Sequence, residues 1–263
     1  MSTAAVLVAL LGVGVLAGVV STVASLASVV SYPALLALGL PPVSANVTNT
    51  VALMFTAVGA AAGSRPELAG QRYRVRTLGL LTAAGGGTGA ALLLLTPARG
   101  FEYVAPVLIA AGSLIILRRS LPTEAPAASA DGAAAAVRLT AHADAGWLWR
   151  AGVFAVAVYV GYFGAAGGVL MLALLIRMYR QSLARTNAVK NVILGLANAV
   201  AGLGFAIFGP VRWTAALPLA AGFLIGGWIG PSIVRHLPAR GLRLFIGACG
   251  LAVAIGLGVS AYL

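Results

Sequence analysis

The chain has 263 residues, 61% of them hydrophobic and 8% charged, with a formal net charge of +12. A soluble domain carries about 25% charged residues, so this is a polytopic membrane protein, as its mean hydropathy of +1.02 agrees. In that setting the positive charge marks cytoplasmic loops rather than a nucleic-acid partner.

A full crossing needs about 20 apolar residues, so the length admits roughly eight to ten segments and no soluble domain. The N-terminus, Met1-Ser2-Thr3-Ala4, has no basic stretch, and no cleaved signal is expected. Apolar segments fall at 4–20, 29–39, 45–62, 77–96 and 103–117. Residues 118–146 are polar-tolerant and proline-bearing, and read as a flexible connector. A second set of segments follows at 147–163, 169–179, 188–208, 213–234 and 242–262. Cys249 is the single cysteine, in an apolar run, and reads as packing.

Each set has five segments, the first two short and separated by a run of small residues. The runs are Ser21 to Ser28 in the first set and Gly161 to Gly168 in the second. One constant shift along the chain aligns them, placing Asn46 on Asn187, Val51 on Val192 and Leu53 on Leu194. The expected fold is therefore all-α, with two repeats (1–117 and 147–263) whose first two segments are broken or re-entrant.

The basic residues give the orientation. Arg65, Arg72, Arg74 and Arg76 crowd one loop, whose shifted counterpart holds only Arg212. The turn from Gly39 to Ser44 is uncharged, while its counterpart carries Arg177, Arg180, Arg185 and Lys190. Arg99 stands alone against Arg235, Arg240 and Arg243. Basic loops stay in the cytoplasm, so the halves are expected to be inverted, with both termini periplasmic and the connector cytoplasmic. Inverted repeats with broken helices are a mark of secondary transporters, whose sites lie at the breaks.

The run Gly161-Tyr162-Phe163-Gly164-Ala165-Ala166-Gly167-Gly168-Val169-Leu170 resembles the glycine-rich stretch of the TauE/SafE sulfite exporter family. Tyr32-Pro33-Ala34-Leu35-Leu36-Ala37-Leu38-Gly39-Leu40-Pro41-Pro42 resembles its companion run, and Ser44-Ala45-Asn46-Val47-Thr48-Asn49-Thr50 the helix start that follows. The resemblance covers nearly the whole chain. It implies an inner-membrane permease for sulfite, organosulfonates such as sulfoacetate, or related small anions, working without a cofactor. In this sequence Ser and Ala replace the first-half glycines, and Leu174 stands where Pro33 has its counterpart.

The candidate substrate-binding residues cluster at the breaks and the helices after them. Gly164, Gly167 and Gly168 can open backbone amides to a ligand, or simply let helices pack closely. Ser21, Thr22, Ser25 and Ser28 can donate to sulfonate oxygens or bond back to their own helix. Asn46, Asn49 and Thr50 open one helix, and Asn187, Lys190 and Asn191 open its mate, each set on one face. A polar face is expensive in lipid, so both should point inward. Lys190, the only lysine in the chain, either neutralises an anion or snorkels to the inner surface. Asn198, Tyr32 and Tyr162 complete the set. Arg177, Arg180 and Arg185 set topology or steer anions.

Gly85-Gly86-Gly87-Thr88-Gly89 lacks the lysine of a phosphate loop and lies in an apolar helix. All five acids (Glu67, Glu102, Glu124, Asp131 and Asp144) fall in loops or at their edges. Cation transport is disfavoured, and no constellation for a membrane enzyme or a metal site stands within the segments. The alternatives are a scaffold without transport, or a carrier of another small organic anion. The lipid-facing surfaces permit a homodimer.

Overall fold

Five helices are long and apolar enough to cross a membrane, at residues 4–22, 42–63, 72–95, 183–208 and 213–232. The computed structural model describes residues 3–24, 26–101, 146–164, 167–179 and 181–234, with Tyr103, Val107, Ala110 and Ile255. Ser25, Ala165, Ala166, Arg180, nearly all of the connector and most of segments 103–117 and 242–262, with Arg235, Arg240, Arg243, Cys249, His142 and His236, lie outside the described residues.

Every element among the described residues is a helix. The first half gives α1 (Thr3–Ala24), α2 (Ala27–Ala37), α3 (Pro42–Gly63), a single turn α4 (Arg65–Leu68) and α5 (Arg72–Leu95). The second gives α6 (Gly146–Tyr162), α7 (Gly167–Met178), α8 (Leu183–Phe208) and α9 (Trp213–Val234). With 11 and 12 residues, α2 and α7 reach only about 17–18 Å, short of the roughly 30 Å hydrocarbon layer. The first helix is longer than hydropathy alone assigns. It continues through Ser21 and Thr22, because these residues carry neither a glycine nor a proline to stop it and Thr22 bonds back to the carbonyls of Val19 (2.9 Å) and Gly18 (3.3 Å).

The ends of the short helices follow from sequence. After α2, Gly39 takes φ +82°, a conformation open to glycine. Its N–H donates to Leu36 O (2.8 Å) and that of Leu40 to Leu35 O (3.2 Å), the paired bonds of a Schellman stop. Pro41 and Pro42 then forbid continuation and start α3, with Pro42 at the first helical position.

The helices of the two halves interlock. α1 lies against α9, and α6 lies against α5; α3 packs on α9 as α8 packs on α5, and α3 and α8 cross each other. Helices that correspond by the shift thus have corresponding partners. α3 and α8 run in opposite directions. Ser44, at the start of α3, donates to Pro210 O beyond the end of α8 (2.7 Å), while Arg185, at the start of α8, reaches Ala69 O beyond the end of α3 (3.4 Å).

Glycine makes these contacts close. In membranes helices associate by van der Waals packing and favour small residues at the seam. A Cβ on Gly86 would fall on the backbone of Ala197, and one on Gly227 on the backbone of Thr56. Gly85 and Gly89 meet α6, while Gly226 and Gly230 meet α1. The pattern G-G-x-x-G at positions 85, 86 and 89 therefore recurs at 226, 227 and 230, related by the same shift that places Asn46 on Asn187. The glycine run that resembles a phosphate loop is a packing seam.

Candidate functional site

Both chain breaks border one cavity of about 60 Å³, several times the roughly 10–15 Å³ that admits one water. Among the described residues, Leu26 stands outside the helices between α1 and α2, and Phe163 and Gly164 stand outside them between α6 and α7. Gly164 takes φ +74° and its N–H donates to Tyr159 O (3.0 Å). The turn releases the chain from α6 and lets α7 start beside the cavity. The first turns of α2 and α7 (Ala27 and Ser28, and Gly168) line its wall. Helix N-termini carry partial positive charge and unpaired N–H groups, which favour anions.

The remaining walls come from the middle turns of α3 and α8. α3 contributes Thr50, Leu53, Thr56, Ala57 and Ala60; α8 contributes Lys190, Asn191, Leu194, Gly195 and Asn198. Ala27 and Gly168, Thr50 and Asn191, Leu53 and Leu194, and Ala57 and Asn198 are pairs related by the one shift. The cavity is thus walled by corresponding positions of the two halves. Among the described residues, none on the lining is a carboxylate.

Among the described residues, Lys190 is the only ionisable side chain on that lining, and it is 1% exposed. Its Nζ donates to Asn187 Oδ1 (2.8 Å), and the same asparagine's Nδ2 donates to Thr22 O (2.9 Å). The side chain stays in the interior and does not snorkel outward. Asn191 Nδ2 and Thr56 Oγ1 are buried without a hydrogen-bond partner among the described residues. A buried donor left unpaired costs about 1–3 kcal/mol, which a bound acceptor would recover. Chemically the cavity offers donors and positive potential to a small, acceptor-rich anion.

Of the sequence-predicted residues, Ser21, Ser28, Thr50, Gly164, Gly168, Lys190, Asn191 and Asn198 line the cavity. The other described ones lie in the elements around it. Asn46 Nδ2 donates to Tyr162 O (3.0 Å), tying α3 to the end of α6 just as Asn187 ties α8 to the end of α1. Asn49 Nδ2 donates to Ser28 Oγ (3.2 Å), while its Oδ1 accepts from Ser31 (2.5 Å). Tyr32 packs edge-on to Phe163, with ring centroids 5.5 Å apart. Tyr162 reaches Thr96 Oγ1 at 3.4 Å, and buried Gly167 begins α7. Ser25 lies outside the described residues.

A profile described as "Sulfite exporter TauE/SafE" matches residues 10–257 of the chain. The chain belongs to the sulfite exporter TauE/SafE family. As a TauE/SafE protein it is a multi-pass membrane transporter. No curated protein and no solved structure matches the chain.

Sequence reasoning passed over Thr56 and the small residues Ala57, Ala60 and Gly195 that shape this TauE/SafE cavity. The G-G-x-x-G recurrence was the signal available. It marks α5 and α9 as the corresponding seam helices of the two halves, and Gly227 packs against Thr56 itself.

Proposed function

We propose that this protein carries small sulfur oxyanions, such as sulfite or organosulfonates of the sulfoacetate kind, across the inner membrane through the cavity between α3 and α8. The observation that carries this reading is the lining, which among the described residues joins the buried amine of Lys190 to unpaired donors and holds no carboxylate. Family membership supplies the ligand class, and the volume of about 60 Å³ favours the compact members of it.

The halves, residues 1–117 and 147–263, act as inverted repeats joined by a cytoplasmic connector, 118–146. The opposed directions of α3 and α8 and the matched helix partners favour this arrangement. Substrate oxygens accept from Lys190 and Asn191, and from the backbone at the start of α7, where Gly168 lines the cavity. Rocking of one half against the other exposes the site to alternate faces. Export follows from the membrane potential, which drives an anion out of a negative interior.

The test is thermal stabilisation of the detergent-purified protein by sulfite, sulfate, thiosulfate, sulfoacetate, taurine and acetate. A ligand at 100 times its Kd stabilises the fold by about 2.7 kcal/mol. The expected result is a selective upward shift with one or more sulfur oxyanions that Lys190→Met loses. No shift with any of them, or an equal shift in Lys190→Met, would overturn the reading.

A further inference from the structure

Thr56 departs from what threonine ordinarily does inside a helix. Such a hydroxyl usually bonds back to a carbonyl three or four residues earlier. Thr22, Thr50, Thr82, Thr88 and Thr96 do so here. Thr56 is 5% exposed, lines the cavity, and leaves its Oγ1 enclosed without a hydrogen-bond partner among the described residues.

The fold contains its own control for the packing role of this position. Ala197, the counterpart of Thr56 under the shift, packs against Gly86 as Thr56 packs against Gly227, and it is fully buried. The seam therefore needs a small side chain there and no hydroxyl. Ala197 does not line the cavity, whereas Thr56 does. A similar contrast holds one layer away. Thr50 spends its hydroxyl on Asn46 O (2.9 Å), while its counterpart Asn191 keeps a buried Nδ2 unpaired at the same cavity.

We infer that Thr56 is a substrate ligand, its hydroxyl donating to one oxygen of the transported anion while Asn191 Nδ2 donates to another. The two donors stand on different halves, so the bound ion itself clamps α3 to α8. This inference rests on the anion-carrier reading above and adds to it a residue that packing does not require.

The experiment compares wild type with Thr56→Val and Thr56→Ser in detergent, by melting temperature without anion and by sulfite titration of the shift. Sulfite flux in proteoliposomes is read in parallel. Val keeps the β-branched shape and removes only the donor. The expected result is an unchanged or raised melting temperature without anion, sulfite affinity weakened about tenfold or more, and recovery in Thr56→Ser. Wild-type affinity in Thr56→Val overturns this inference and leaves the carrier reading intact. A lower melting temperature with unchanged affinity also overturns it, by making the hydroxyl structural. If no sulfur oxyanion stabilises wild type, both readings fall.

Discussion

Asn46 and Asn187 perform the same structural task in opposite halves, yet only Asn187 also holds a charge. Each donates its amide to a carbonyl at the end of a helix interrupted nearby, Tyr162 O and Thr22 O respectively. Asn187 Oδ1 additionally accepts from Lys190 Nζ. The two roles separate by substitution. Asn46→Ala removes one buried hydrogen bond and should destabilise the protein by about 1–3 kcal/mol while leaving anion affinity near that of wild type. Asn187→Asp keeps the acceptor toward Lys190 but adds a carboxylate that competes with substrate for the ammonium. It should lower anion affinity by more than tenfold, read by sulfite titration of the melting temperature. Equal affinity losses in both variants would show that Asn187 matters only as a tether. The asparagines and the lysine were legible in the sequence, because polar side chains at helical spacing in an apolar segment have to face inward. Thr56 was not, since a single threonine among apolar neighbours satisfies itself on its own helix in most cases.

Helix pairing is set by where the backbone can come closest, and glycine decides that. Gly86→Val and Gly227→Val place a side chain where the backbones of Ala197 and Thr56 lie. Neither neighbour is a flexible side chain, so the helices must separate. Both variants should fail to give a monodisperse protein in mild detergent. Gly204 is the control, because a β-carbon there would meet nothing within 4 Å and its backbone is ordinary helix. Gly204→Ala should be neutral or stabilising by up to about 1 kcal/mol. Gly164→Ala forces a β-carbon onto a backbone at φ +74°, at a cost of roughly 1–2 kcal/mol, and should lower both the melting temperature and sulfite flux. Helix positions were legible because hydropathy and the small-residue breaks carry them. The crossed pairing of α1 with α9 and of α6 with α5 was not, because hydropathy names no partners. The recurring G-G-x-x-G holds that information in a form that only packing explains.

At the scale of the molecule, among the described residues, two of the basic loops gather at one end. Arg74 donates to Gln181 Oε1 (2.7 Å) and lies 4.4 Å over the Tyr179 ring, and Arg185 reaches Ala69 O. The loops around residues 64–71 and 178–182, from opposite halves, therefore meet. The uncharged turn before α3 meets residues 210–212 instead, where Arg212 N donates to Thr48 Oγ1 (3.0 Å). Arginine-rich loops resist translocation, so the orientation we propose places the first end in the cytoplasm. On that proposal the α1–α2 hairpin opens toward the periplasm and the α6–α7 hairpin toward the cytoplasm. Single cysteines test this on a Cys249→Ala background, which removes the one native thiol. Gly39 and Gly70 are exposed turn positions whose β-carbons would meet nothing within 4 Å, although their positive φ makes any substitution there mildly strained. Gly39→Cys should react with an impermeant maleimide on intact spheroplasts, and Gly70→Cys only after the membrane is opened. The reverse pattern would invert the topology and with it the face from which the Lys190 cavity fills. Labelling of both on intact spheroplasts would place the two loops on one side, and the inverted arrangement of the halves could not stand.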